Sequence, residues 1–362
     1  MRVLKSRQLT ILTTDQCTAK CSHCSMNSSP GRRSRLSSEQ ICRYVDQAVE
    51  STEIRFVIFA GGEPLLLGDD LFRSLEHVHR RGLRSRLVTN AYWAINPSTA
   101  SGIVSKLRAT GLNELNISID DFHLPYINAQ RVKHAFLAAR KLDFEAVILV
   151  HCSGPNTLFN SAQLDALIGE RLPRMFNDQG EAVALRRSGK RPFVAVSNST
   201  LQAIGRGTNL EIGEVQGQKD WPQQARAIGG CPWAVRSPAV APNGRLVACC
   251  GFEVLGNPIL DIGDLETHSL SGLLDQADND LPLNMIALEG PYALMDHMRE
   301  VNPDLPFRPY YRSFCELCQD IVTNPVLRAA LVQIMPIRAP AILARRETLR
   351  ETAPTRTIAN GT

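Results

Sequence analysis

From Gln8 onward, short apolar runs with strand character alternate with helix-length amphipathic segments. Residues 10–14, 55–59, 84–89, 114–119, 144–150 and 192–197 read as strands, and 37–50, 69–81, 98–110, 125–140 and 161–174 as helices. This alternation predicts a parallel sheet with right-handed crossovers. Gly82 and Gly111 stand where helix C-caps belong. Six βα units are too few for a closed eightfold barrel, so the expected fold is α/β, a partial (β/α)6 TIM-like barrel with its active groups on loops after the strand C-termini.

After Ser197 the pattern changes. Glycine and proline punctuate the chain (Gly205, Gly207, Pro222, Gly230, Pro232, Gly244), and regular periodicity fades until about Pro325. That stretch carries five cysteines, at 231, 249, 250, 315 and 318. A loop-rich segment needs another source of order, and a structural metal centre would supply it. Beyond Met335 the composition turns to Arg, Thr and Ala without a clear apolar face, which predicts a frayed helix or mobile end. The expected divisions are 8–205 for the barrel, 206–325 for a small C-terminal domain and 326–362 for a tail.

Composition narrows the function. A hydrophobic content of 44% excludes a disordered or fibrous chain, and 40 basic against 36 acidic residues, with no basic stripe interleaved with aromatics, points away from nucleic acid. The N-terminus lacks the apolar core of a signal peptide. The longest apolar stretch, 327–344, is interrupted by Arg328, Pro336, Arg338 and Pro340, so no membrane span is expected. A soluble, cytoplasmic protein is the expectation, and in a reducing cytosol ten cysteines read as metal ligands or catalytic thiols rather than disulfides.

Three of those cysteines, Cys17, Cys21 and Cys24, fall within eight positions after the first strand. Four thiolates saturate an iron–sulfur cube, whereas three leave one iron open. A zinc half-site completed elsewhere is the alternative. The Cys-x3-Cys-x2-Cys spacing resembles the signature of the radical S-adenosylmethionine (radical SAM) superfamily, and Gly61-Gly62-Glu63-Pro64 after the second strand resembles that family's second motif. The resemblance implies a 4Fe-4S cluster held by the three cysteines, S-adenosyl-L-methionine as cofactor, and a 5'-deoxyadenosyl radical as its product. It also implies cofactor contacts from Gly61, Gly62, Glu63 and Pro64, from Asn90, from Ser118 and Asp120, and from His23 beneath the adenine. Ser118 and Asp120 each have a bland reading as a strand end leading into a helix cap. Asp120 and His123 could also position a substrate or relay a proton.

Downstream, Cys231-x12-Gly244-x4-Cys249 followed by Cys315-x2-Cys318 resembles the twitch domain of SPASM-like radical SAM enzymes, which implies one auxiliary 4Fe-4S cluster; a zinc ribbon is the alternative. Gly205-Arg206-Gly207 resembles the element that joins barrel to auxiliary domain. Cys42, Cys152 and Cys250 remain. Cys42 reads as a small buried side chain, Cys152 follows the fifth strand, and Cys250 adjoins the ligand Cys249. A thiol near a substrate radical can return a hydrogen atom from the opposite face, and the arrangement resembles radical SAM peptide epimerases. The expected reaction is L-to-D epimerisation of a ribosomally made peptide with Cys250 as donor and Cys152 as a second candidate. Peptide cross-linking and dehydrogenation of an alcohol or sugar stand as alternatives, and a non-catalytic metal-binding module as the option from another class. A flavodoxin- or ferredoxin-type reductant is the implied partner, and Arg32, Arg33 and Arg35 form either a solvated loop or its docking site.

Overall fold

A computed structural model describes residues 2–153, 156–177, 182–183, 185, 189, 191–200, 204–210, 226–249, 254–311 and 313–352, the side chains of 51, 199 and 200 excepted. Six parallel strands carry the N-terminal half: β1 (Gln8–Leu12), β2 (Phe56–Ala60), β3 (Arg84–Thr89), β4 (Glu114–Ser118), β5 (Ala146–Ser153) and β6 (Phe193–Thr200). They lie side by side in chain order, with helices α1 (Ser38–Ser51), α2 (Asp69–Arg80), α3 (Pro97–Ala109), α4 (Ala129–Ala139) and α5 (Ser161–Ile168) between them. This is the predicted α/β partial barrel: β6 ends one edge, and among the described residues β1 does not close onto it.

Local chemistry explains the helix ends. Ser37 and Gln40 form a reciprocal capping box at α1, and Asn96, Asn128 and Asn160 accept backbone N–H groups at the starts of α3, α4 and α5. Gly82 and Gly111 follow α2 and α3 at φ 72° and 89°, a conformation other L-residues rarely adopt. Fully buried Leu9, Ile11, Val57, Phe59, Leu87, Leu115, Ile117, Val147 and Leu149 form the layer between sheet and helices.

The C-terminal half departs from the expected loop-rich segment in two ways. Strands β7 (Ala239–Val240), β8 (Arg245–Val247) and β9 (Asp261–Asp264) extend the same sheet past β1, with β7 parallel to β1 and the next two antiparallel. Residues 270–323 are largely helical, as α6 (Leu270–Asn279), α7 (Leu281–Leu288), α8 (Pro291–Val301) and α9 (Phe314–Thr323). These helices escape a periodicity reading because they are short and, in α7, buried nearly all round, from Leu283 to Leu288.

The expected frayed tail is likewise corrected. A 27-residue helix, α10 (Pro325–Glu351), buries Leu327, Ala330, Leu331, Ile334 and Ile342 against α7, α8 and α9. By length and composition this helix could cross a membrane, contrary to the sequence expectation, although it packs here on its neighbours. Arg346 was hidden from an apolar-face search because it turns inward. The residue is 4% exposed, and its side chain pairs with Asp278 at 3.0 Å. Asp278 also accepts the backbone N–H of Leu4 at 2.6 Å, so one buried carboxylate ties the N-terminus, α6 and α10 together. Replacing one member of such a pair strands the other without a counter-charge. Arg346→Met is expected to lower unfolding stability by about 3–5 kcal/mol in urea denaturation; a loss under about 1 kcal/mol would refute this assignment of the pair.

Candidate active site

The loop between β1 and α1 carries Cys17, Cys21 and Cys24, and its backbone is tied down along its length. Cys17 N–H donates to Ser29 O at 3.1 Å, Cys24 N–H to Cys21 O at 3.1 Å, and the loop meets the β2 exit through Gly62 N–H to Thr14 O at 2.6 Å and Glu63 N–H to Gln16 O at 2.9 Å. That approach explains the glycine pair. A Cβ on Gly61, at φ 125°, would lie 2.6 Å from Thr14 O, and one on Gly62 would lie 1.9 Å from Gln16 O.

A third element closes on the loop from far along the chain. Arg206 donates Nε–H to Cys21 O at 2.9 Å and Nη2–H to Ser28 O at 2.7 Å, while its backbone N–H reaches Cys24 O at 3.0 Å. Gly205, at φ 54°, allows this because any side chain there would strike Ser25 O at 2.4 Å. The sequence marked this triplet only as a junction; the positive-φ glycine beside the arginine was the available signal.

Together these elements line a cavity of about 340 Å³. The three cysteines face it with Gly61, Gly62, Asn90 and Ser118, and with His23, His123, Cys152 and Arg206. Of the sequence candidates, Glu63, Pro64 and Asp120 lie behind this wall rather than on it. Glu63 is fully buried and accepts hydrogen bonds from Asn90 N at 2.8 Å, Thr89 Oγ1 at 2.9 Å and Leu65 N at 3.1 Å. Burial pushes its carboxyl up to about 7, against the pull of those donors. Pro64 is buried at the start of the short 3-10 turn Pro64–Leu67.

Behind His23 lies a buried electrostatic group. Asp120, 1% exposed, accepts Phe122 N–H and His123 N–H at 3.0 Å each and pairs with His123 Nδ1 at 2.8 Å. Burial would raise the Asp120 carboxyl, but the charge and hydrogen bond of His123 overcome it and hold it low, at about 2. Burial would likewise lower His123; its bonds to Asp120 and Cys21 prevail and lift it to about 10. His23 packs on Phe122 with ring centroids 4.7 Å apart, and burial pushes it down to about 4, toward the neutral imidazole. Its Nδ1 is buried with no partner among the described residues. Asp121 takes no part here, since it caps Leu158 N and Phe159 N at 2.7 and 2.8 Å.

The donor set fits an iron–sulfur cluster. Burial pushes the Cys17 thiol up to about 12, so a thiolate there needs a cation beside it. The Cys17 sulfur already faces N–H donors, Ala19 N at 3.4 Å and Asn90 Nδ2 at 3.6 Å, as a thiolate ligand would.

At the second cysteine set, Cys231 and Cys315 lie near enough to Cys318 to push its thiol further above the level that burial already imposes. Cys231 is fixed by its N–H to Ile286 O at 3.0 Å and by Arg236 Nη1 on its carbonyl at 3.0 Å. Cys249 pairs with Ser237 in an isolated bridge just past β8. Cys250 lies outside the described residues. Cys42 sits on α1, half-buried.

Residues 11–156 match the profile of the Radical SAM superfamily. The chain therefore contains a radical SAM domain, and its partial barrel is the fold of that superfamily. YydG of Bacillus subtilis (strain 168), whose name refers to peptide biosynthesis, is 24% identical over 136 residues, which span 38% of this chain and 43% of that protein, less than half of either. In fold the chain is similar to native anSMEcpe solved with bound AdoMet and Cp18Cys peptide, at TM-score 0.52 and 13% identity, covering 95% of this chain and 99% of that one. A histidine-tagged form of anSMEcpe with bound AdoMet superposes equally, at TM-score 0.52 and 14% identity over the same shares.

Two outcomes follow from this geometry. Gly62→Ala is expected to destabilise the cysteine loop and to lose most of the iron on anaerobic reconstitution; wild-type iron content in that variant would contradict the contact with Gln16 O. For Glu63, the folded carboxyl at about 7 lies above the ordinary 4.5. The folded state thus holds its proton more tightly, and the stability so gained is full below about 4.5 and lost as pH rises through about 7. Urea unfolding of the metal-free protein should show that decline in the wild type and a flatter profile in Glu63→Gln.

Proposed function

We propose that this protein is a radical SAM enzyme that epimerises a residue of a ribosomally made peptide, with a cysteine thiol returning the hydrogen atom. The observation that carries the reading is Cys152, at the end of β5, lining the same cavity as Cys17, Cys21 and Cys24. A thiol on that wall faces whatever carbon the cavity admits. Cofactor bound to a reduced 4Fe-4S cluster on the three cysteines would supply the 5'-deoxyadenosyl radical that removes a substrate hydrogen. The chain's own part is then defined. Gly61 and Gly62 keep the wall beside the cysteines free of side chains, His23 offers an aromatic face and an Nδ1 with no partner among the described residues, and Ser118 and Arg206 complete the lining of the cavity.

The hydrogen of the substrate Cα–H bond would pass to the 5'-deoxyadenosyl radical to give 5'-deoxyadenosine, the carbon radical takes the hydrogen of a cysteine S–H from the opposite face, and a thiyl radical remains. One electron from a flavodoxin- or ferredoxin-type reductant and one proton from solvent restore the thiol. Cys250, beside Cys249 at the auxiliary set, is the other candidate donor, and Cys231, Cys249, Cys315 and Cys318 are assigned to a second 4Fe-4S cluster that relays electrons. The peptide class is supported by the name of the Bacillus relative and by the Cp18Cys peptide bound to a chain of the same fold. The thiol chemistry suits the reducing cytoplasm.

The test is product mass after reaction in heavy water with dithionite, cofactor and a peptide encoded beside the gene. Epimerisation adds one mass unit, because the thiol hydrogen has exchanged with solvent; a loss of two units would instead assign cross-linking or dehydrogenation. Cys152→Ala is expected to abolish the gain while 5'-deoxyadenosine still forms. Retention of the gain in that variant and its loss in Cys250→Ala would move the donor to Cys250.

A further inference from the structure

We propose that Asn90 is a positioning residue for the iron–sulfur cluster: its side-chain amide is a fixed hydrogen-bond donor to the Cys17 sulfur and raises the cluster's reduction potential. The inference rests on the reading of Cys17 as a cluster ligand, and it gives Asn90 a different task from the cofactor contact that the family resemblance implies.

The geometry leaves the amide little choice. Asn90 Oδ1 accepts the backbone N–H of Tyr92 at 3.0 Å, an Asx turn that settles which side of the amide carries nitrogen. Nδ2 therefore faces the cysteine loop, donating to Thr18 Oγ1 at 3.1 Å and lying 3.6 Å from Cys17 Sγ. The backbone beneath is equally constrained. Asn90 N–H donates to the fully buried Glu63 carboxylate at 2.8 Å, and Ala91 is held at φ 59° with its N–H on Thr89 Oγ1 at 3.1 Å. With Asn90 itself only 5% exposed, water does not compete for the amide. Glu63 thus fixes Asn90, and Asn90 faces the sulfur.

Adding an electron to a cluster makes its sulfurs more negative and their hydrogen bonds stronger. A donor held at a ligand sulfur therefore stabilises the reduced state over the oxidised one. Ala19 N–H, 3.4 Å from the same sulfur, acts in the same direction from within the loop. The side-chain donor is the one that mutation can remove without breaking the backbone.

The experiment is an anaerobic potentiometric titration of the reconstituted full chain without cofactor or peptide, following the reduced-cluster EPR signal that Cys17→Ala eliminates. Asn90→Ala removes the donor without adding charge, and Asn90→Asp keeps the Oδ1 acceptor of the turn. In both, the reduced-to-oxidised ratio at the wild-type midpoint is expected to fall roughly 3- to 10-fold, or about 30–60 mV for a one-electron couple. An unchanged midpoint in both variants overturns the proposal. So does a fall confined to Asn90→Asp, which would assign the effect to charge. A wild-type chain with no Cys17-dependent signal would overturn the reading of the cluster site and this inference with it. Independently of how the variants fold, 15N-labelling of asparagine should reveal a nitrogen coupling to the reduced wild-type cluster, and its absence would also sink the idea.

Discussion

The site depends on the close passage of two backbones. At Gly61 and Gly62 the β2 exit comes so near the cysteine loop that Thr14 O and Gln16 O receive N–H groups where side chains would otherwise stand. Hydrogen bonds of this kind are directional and intolerant of added volume, so they fix the height of the loop above the strand ends. From that contact follow the position of Cys17, the space left beside it, and the burial of Glu63 one residue further on.

Glu63 shows how one residue can serve geometry in place of direct contact. A carboxyl with no exposed surface is costly unless satisfied, and here backbone and hydroxyl donors from the β3 exit satisfy it. The acid therefore links the exits of β2 and β3, and through Asn90 it reaches the cysteine loop again. Asp120 does the same work at β4, orienting His123 and standing behind His23. Two buried carboxyls, each organising a neighbouring loop, give the cavity a rigid wall on elements remote in sequence.

The C-terminal half adds its own clamps. Arg206 grips the cysteine loop by three carbonyls, and the β7–β9 ribbon extends the sheet at the β1 edge, where Ser237, the bridge partner of Cys249, accepts a hydrogen bond from Gln8 of β1. Asp278 and Arg346 join Leu4 and α10 to α6. The two halves thus share one sheet and several buried polar contacts.

Much of this was legible in the chain. Strand periodicity and the helix-ending glycines are local, set by the side-chain spacing and backbone freedom of neighbours, so the order of the barrel elements could be read directly. The three cysteines and the glycine pair were also readable, because each motif sits on a single turn after a single strand. What the sequence could not decide is anything that needs two distant segments to meet. Asn90 facing Cys17, Arg206 on the loop carbonyls and Glu63 turned away from the cavity are consequences of packing between separate strand exits. Helix α7 and the inward Arg346 escape the sequence for a related reason. Burial on nearly all sides erases the amphipathic period of α7, and a buried charge is intelligible only once its partner, 68 residues away in the case of Asp278, is in place.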